Sequence, residues 1–346
     1  MRNPSLILVA ALMLAPAISM AADATTAKYD VTKTVSLGLP DRWDYVVFDL
    51  GSQRVYVAHG SKVSVVDGKE GALLGEIGEI PGGTHGIAVS HATGRGYTDD
   101  GKAGTAVSFD LSTLKPLKTI NAQPDADGIV FDPASGHAFV INGDSGSVTV
   151  IDPKTDSVVA TIAAGGGLEF GVADGKGELF VNGAEKQEIV RIDTASNKMT
   201  ANWPIPNCKS PHGLAIDPTL HRLFSTCVNG TMAVMDTDTG KKITALPIGD
   251  YSDSAAFDPK RKLIFSANGD GTLSVILEKD AQTYVSLGSI KTPIGARTMS
   301  IDPKTGRLYL AAADVATIGP PLTPGGRPHV VYKPGSLKLL FLDPVH

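Results

Sequence analysis

The chain has 346 residues, of which 42% are hydrophobic and 19% charged, with a net charge of −5 at pH 7. No cluster of Lys and Arg stands out against that balance, which excludes a nucleic-acid footprint. With 38 Gly, 22 Pro and only 6% aromatic residues, the composition suits many short strands joined by tight turns.

Residues 1–22 read as a secretion signal. Arg2 supplies the positive start, Leu6 to Ala17 the apolar run, and Ser19-Met20-Ala21 the small residues of a cleavage site, with Ala22-Asp23-Ala24 as a second candidate. The apolar run falls short of the roughly 20 residues of a spanning helix, and no later stretch is long enough. The sequence therefore predicts a periplasmic or secreted protein with no membrane span. Cys208 and Cys227 lie 19 residues apart within one repeat. An oxidising compartment lets them pair, so a disulfide is favoured over two separate thiols.

The strand-like segment Tyr29-Asp30-Val31-Thr32-Lys33-Thr34-Val35-Ser36-Leu37 comes first and alternates as a half-buried strand does. It precedes any first strand of its own. A repeat then begins, and residues 25–346 read as one domain built from it. The frame Thr84-His85-Gly86-Ile87-Ala88-Val89 occurs seven times in all, and the second residue is always ionisable: Asp44, His85, Asp127, Glu169, His212, Asp253 and Arg297. Their spacing, 41 to 44 residues, is that of an array of small sheets.

Each repeat reads as four strands. In the third, Gly128-Ile129-Val130-Phe131, His137-Ala138-Phe139-Val140-Ile141, Ser147-Val148-Thr149-Val150-Ile151 and a segment ending at Ile162 are separated by Asp132-Pro133, Asn142-Gly143 and Asp152-Pro153 turns. The boundaries fall at about 41–82, 83–124, 125–166, 167–210, 211–250, 251–293 and 294–346. The last repeat carries a Gly/Pro-rich insertion, about residues 314–334, and stops without a fourth strand. The orphan strand at 29–37 supplies it, closing the ring and removing two exposed edges. The predicted fold is all-β: a seven-bladed β-propeller of four-stranded antiparallel blades, closed by the N-terminal strand.

Tyr56-Val57-Ala58-His59, Phe139-Val140-Ile141-Asn142, Phe180-Val181-Asn182-Gly183, Phe265-Ser266-Ala267-Asn268 and Val148-Thr149-Val150-Ile151-Asp152 carry a resemblance. In these the repeat resembles the YVTN-repeat, YncE-like family of secreted β-propellers. The resemblance spans essentially the whole mature chain, although no copy spells Tyr-Val-Thr-Asn in full. It implies a seven-bladed propeller exported across the inner membrane. It does not imply an activity, since relatives include binding proteins and enzymes.

In such a ring the first strand of each blade lines the channel, and the seven ionisable residues converge at one mouth. His59, Asn142, Asn182 and Asn268 are expected on the same face at the ends of the second strands, with Trp43 and Tyr251 flanking two ring positions. Imidazoles beside carboxylates suit a divalent metal ion of open identity, with His85, His212, Glu169 and Asp127 as its candidate ligands. They also suit acid–base chemistry, with His85, His212 and Glu169 as candidate catalytic groups and Arg297 as an anion clamp. Asp44, Asp127 and Asp253 complete the ligand-binding set. A solvated channel mouth is the plain alternative. All seven positions being ionisable, in a chain only 19% charged, favours a site. Gly86 and Gly213, after the two histidines, are expected to let backbone approach a ligand. Arg327, His329 and Tyr332 place possible contacts on the insertion.

Other motifs dissolve in context. Gly143-Asp144-Ser145-Gly146 is a hairpin turn, and Asp236-Thr237-Asp238-Thr239-Gly240 lacks the downstream Glu of a calcium loop. No haem, flavin or nicotinamide motif is present. Asp132, Asp217, Asp258, Asp302, Asp152, Asp193 and Asp236 read as turn formers. Two functions remain open: a propeller binding a small-molecule ligand, a metal ion or a periplasmic protein partner at the ring face, and a metal-assisted lyase, isomerase or hydrolase acting on a small anionic substrate there.

Overall fold

The computed structural model describes residues 27–323 and 326–345. The expected secretion signal, residues 1–22, lies outside them. Among the described residues the regular structure is all strand: seven four-stranded antiparallel sheets and one two-stranded hairpin. The innermost strands of the seven sheets touch in one closed circuit. It runs through Val46–Asp49, Ile87–Ser90, Ala126–Asp132, Leu168–Ala173, Pro211–Asp217, Ser252–Asp258 and Met299–Ile301, then returns to the first. The molecule is a seven-bladed propeller.

The repeat explains why the blades stack. The second strand of each blade is buried almost throughout, and each carries one large aromatic at the same place. These are Tyr56, Tyr97, Phe139, Phe180, Phe224, Phe265 and Tyr309, all below 2% exposure. Burying one such ring contributes about 1.5–3 kcal/mol, and one per blade makes the seven packing layers alike. A typical layer sets Phe139, Ile141, Val148 and Val150 of blade 3 against Leu168, Leu179, Val181 and Val190 of blade 4. The aspartates that end the inner strands act as the sequence predicts. Asp132, Asp217 and Asp258 each accept hydrogen bonds from backbone N–H groups two and three residues on.

Closure also follows the sequence. The N-terminal strand Tyr29–Ser36 pairs antiparallel with Lys338–Pro344, in register from Tyr29 opposite Pro344 to Ser36 opposite Lys338. It is the outer strand of blade 7, whose other strands are Leu308–Ala312 and Met299–Ile301. The insertion after Ala312 forms the extra hairpin, Val315–Gly319 with His329–Tyr332.

Cys208 and Cys227 form a disulfide, with Cα atoms 5.2 Å apart and both residues fully buried. It ties the segment entering blade 5 to the end of that blade's second strand. Closing a loop of this size in the unfolded chain is worth about 3 kcal/mol. Cys208→Ala with Cys227→Ala is expected to lower stability by that amount, read as a fall in the urea midpoint, with a slope that is the same or steeper because the unfolded chain is freer to expand. An unchanged midpoint would show that the bridge does not constrain the unfolded chain.

Candidate functional site

The seven ionisable residues of the repeat frame all line one cavity at the channel mouth. Its volume is about 1060 Å3. In four blades a β-bulge sits at the ring position, between Ala126 and Gly128, Leu168 and Gly171, Pro211 and Leu214, and Ser252 and Ser254. A bulge inserts an unpaired residue and re-aims its side chain. Asp127, Glu169, His212 and Asp253 therefore leave the ladder to reach the channel. Asp44, His85 and Arg297 lie just ahead of their strands and need no bulge.

Neighbouring blades place acid against base. His85 Nδ1 lies 3.8 Å from Asp127 Oδ1, His212 Nε2 lies 3.3 Å from Glu169 Oε1, and Arg297 Nε donates to Asp253 Oδ2 at 2.5 Å. Asp44 is left over, between Arg297 and His85 in the ring. Its carboxylate, one nitrogen of His85 and one oxygen of Asp127 lie within 4.8 Å of one another. The expected metal set of His85, His212, Glu169 and Asp127 is thus divided: His85 and Asp127 gather with Asp44, while His212 and Glu169 pair separately.

Asp99, at the end of the second strand of blade 2, stands behind His85. Its fully buried carboxylate accepts from His85 Nδ1 at 3.0 Å and from the backbone N–H of His85 and Gly86 at 2.7 and 3.1 Å. Burial opposes charge on His85, but the hydrogen bond to Asp99 and the charges of Asp99, Asp44 and Asp127 outweigh it, raising the imidazole to about 9. Burial likewise raises Asp99 to about 6, against the pull of His85.

The acids of the ring divide in the same way. Burial, then Asp44 and Glu169, hold Asp127 well above the usual carboxylate range. Burial, then Asp253 and Asp44, do the same to Glu169. Asp44 is raised by burial and by Asp253, with Arg297 opposing. Asp253 is also buried, yet Arg297, His212 and Arg327 overcome that and hold it low.

The insertion hairpin roofs the cavity with Ile318, Leu322, Arg327, His329 and Tyr332. Tyr332 packs on Trp43 at 4.9 Å between ring centroids, and Arg297 lies over the same indole at 5.7 Å. Arg327 reaches within 4.0 Å of Asp253. Trp43 and Tyr251 line the cavity as the sequence predicts.

His59, Asn142, Asn182 and Asn268 do not line it. All four are fully buried and bonded inside the blades. His59 bonds to the carbonyl of Pro40 at 2.5 Å and to Ser64 at 2.9 Å. Asn142 donates to the carbonyl of Ser147, and Asn268 to Thr272 and Ser274. Asn182 donates to the carbonyls of His212 and Gly213 at 2.9 and 3.0 Å, so it supports the ring from beneath. A strand-end amide beside a bulge meets the unpaired backbone first, and that use consumes its donors.

The expectation for Gly86 and Gly213 changes too. A Cβ on Gly86 would lie 2.3 Å from Ile129 N, and one on Gly213 would lie 2.5 Å from Ser254 C. These glycines admit the backbone of the next blade rather than a ligand. Several cavity residues carry no mark in the sequence, Tyr45 the most buried aromatic among them. Tyr45 is 4% exposed and lines the cavity, and its ring meets Phe170 edge-on at 4.8 Å. Blades 1 and 4, which are not neighbours in the ring, meet through this contact. An aromatic one residue before a strand carries no signal that separates it from core.

No family model matches the chain. Two curated relatives, both named "Uncharacterized protein YncE", come from Salmonella typhimurium and Salmonella typhi. They are 27% and 26% identical over 196 residues, which are 55% of this chain and 54% of each relative. The chain thus spans about half the length of the curated relatives it matches. Among solved structures, a chain of the mitotic checkpoint complex is 15% identical with a TM-score of 0.72, over 98% of both chains. A chain of Kuenenia stuttgartiensis hydrazine synthase is 15% identical with a TM-score of 0.66, over 84% of this chain and 95% of that one. At such identity these two speak to the fold alone. The sequence likeness and the closed ring of seven blades together mark this chain as a seven-bladed β-propeller similar to YncE.

Proposed function

We propose that the protein binds one small solute in the cavity between ring and hairpin and holds it without chemical turnover. The observation that carries this reading is the excess of half-buried acid in one cavity: Asp44, Asp127 and Glu169 share a space of about 1060 Å3 and are all held above their ordinary values. A volume of this order suits a small organic molecule. A positive group on that molecule relieves the crowded carboxylates, and an anionic group fits the opposite wall near Arg297 and Arg327. The disulfide supports an oxidising, periplasmic or secreted location.

Binding sites commonly keep such strain at a cost in stability. A carboxyl whose value is raised on folding stabilises the fold below its ordinary value, and that contribution is lost as pH rises through the folded value. At pH 8, far above the ordinary carboxylate value, the raised carboxyls oppose folding. Asp127→Asn and Glu169→Gln are therefore each expected to stabilise the free protein at pH 8 by about 0.5–2 kcal/mol, with the gain vanishing near pH 4. Urea unfolding at both pH values measures it. Variants that are neutral or destabilised at pH 8 would mark the ring as ordinary solvated surface.

A second reading, a metal-assisted lyase, isomerase or hydrolase, draws on the His85 imidazole held by Asp99. Turnover of a small carboxylate ester or uronate by the wild type, abolished in His85→Gln, would favour it over plain binding.

A further inference from the structure

The cavity wall built by blades 1, 2 and 3 has a chemistry of its own. One ligand atom each from Asp44, His85 and Asp127 lies within 4.8 Å of the other two. Donors that sit about 2.1 Å from an ion lie about 3–4 Å apart, so a small closing movement brings these three into range. The three come from three blades, through separate strand entries. Their approach follows from ring geometry, not from neighbours in sequence.

The imidazole is already oriented for this work. Asp99 holds Nδ1 at 3.0 Å and is itself fixed by two backbone N–H groups, so its carboxylate cannot swing away. A metal ion that displaces one proton of the imidazolium leaves the other on Nδ1, against Asp99, and frees Nε2 as the lone-pair nitrogen. A carboxylate behind a histidine in this manner fixes the tautomer and strengthens the ligand.

A separate observation points to an occupant. Tyr45 is 4% exposed and lines the same cavity, surrounded by Asp44, Asp127, Glu169 and Asp253. Among the described residues its hydroxyl has no hydrogen-bond partner. The side chain is buried while its hydroxyl opens on the cavity, so that donor is free for an occupant.

We infer that Asp44, His85 and Asp127 form a site for a divalent transition-metal ion, with Asp99 positioning the imidazole from behind and Tyr45 at the floor beside the ion. One imidazole and two carboxylates suit zinc, manganese or ferrous iron better than calcium, which takes six to eight oxygens. Three protein ligands leave coordination positions open toward the rest of the cavity. The ion then presents positive charge to an anionic group of the solute. This inference rests on the cavity being a binding site, and it adds the class of ion that the site holds.

Equilibrium dialysis of the chelator-stripped full chain against zinc and manganese at pH 7.5 tests it. The wild type is expected to retain one equivalent of at least one of the two ions. Asp44→Asn and Asp127→Asn are expected to weaken binding tenfold or more, and Asp99→Asn by 10–100-fold, about the usual effect of losing an outer partner. His91 and His221, paired with Asp49 and Asp238 on the surface, are the alternative zinc holders. His91→Gln with His221→Gln is expected to leave the equivalent in place. If Asp44→Asn does not fold, His85→Gln replaces it. No retained ion, retention unchanged in Asp44→Asn and Asp127→Asn, or loss confined to His212→Gln would each overturn the assignment. Should the ion be absent while Asp127→Asn still stabilises the free protein at pH 8, the metal assignment falls alone and the solute-binding cavity stands.

Discussion

A chain that begins at Gly38 is expected not to yield a soluble folded monomer. The strand Tyr29–Ser36 contributes the whole outer ladder of blade 7. Two of its side chains are anchored in the core. Tyr29 meets Phe265 edge-on at 5.4 Å, and Val35 packs with Leu339 and Phe341. The following residue, Leu37, is buried and donates its N–H to the carbonyl of Leu337 at 2.8 Å. Three apolar side chains at about 1.5–3 kcal/mol each and a ladder of hydrogen bonds at about 0.5–1.5 kcal/mol each together approach the whole stability of a typical domain, about 5–15 kcal/mol. The loss also bares the edge of Lys338–Pro344, a strand with Leu339, Leu340, Phe341 and Leu342 in succession. Such an edge recruits other strands. Size-exclusion chromatography of the shortened chain should show aggregate, and a peptide of residues 27–37 added during refolding should restore monomer by strand addition. A shortened chain that elutes as a monomer with the parent melting temperature would mean that blade 7 stands on three strands.

This closure was legible because the period exposes what is missing. Once six repeats show four strands each, a final repeat with three and an orphan strand at the start leave one economical solution. The ring positions were legible for the same reason, since one frame recurs with an ionisable residue at one place. The pairing within the ring was not. Whether His85 stands against Asp127 or His212 against Glu169 depends on which blades are neighbours and on bulges that turn four of the seven side chains. A bulge at Asp127 leaves no mark that a plain strand would lack. Asn142, Asn182 and Asn268 were assigned to the cavity because they end strands on its face. The amides of Asn142 and Asn182 are consumed by backbone carbonyls, and that of Asn268 by the hydroxyls of Thr272 and Ser274. The glycines after the two histidines were visible as positions of close approach. What approaches is the neighbouring blade, which a single repeat cannot reveal.

Replacing Arg297 by Met is expected to cost about 3 kcal/mol at pH 7.5, as breaking a buried ion pair does. Arg297 and Asp253 are 15% and 16% exposed at the side chain and bond at 2.5 Å. Burial penalises both charges, so each depends on the other. Asp253 has a folded value below the ordinary 3.8, first against burial and then because of Arg297, His212 and Arg327. A carboxylate lowered in this way adds stability that is present above its ordinary value and is lost as pH falls through the folded one. The guanidinium is the main source of that contribution. Without it Asp253 becomes another crowded acid beside Asp44 and Glu169. The cost of Arg297→Met should therefore be large at pH 7.5 and smaller at pH 4, where the carboxyl left unpaired in the variant takes a proton while the wild-type one is still charged. Met keeps most of the contact with Trp43, so lost packing accounts for little of it. Asp253→Asn added to Arg297→Met should recover most of the loss, because no unpaired charge is then left in the ring. Urea unfolding of the two single variants and the double variant at both pH values forms the cycle. A cost that is the same at pH 4 and pH 7.5, or one that Asp253→Asn does not relieve, would show that Arg297 acts through its packing and not through its charge.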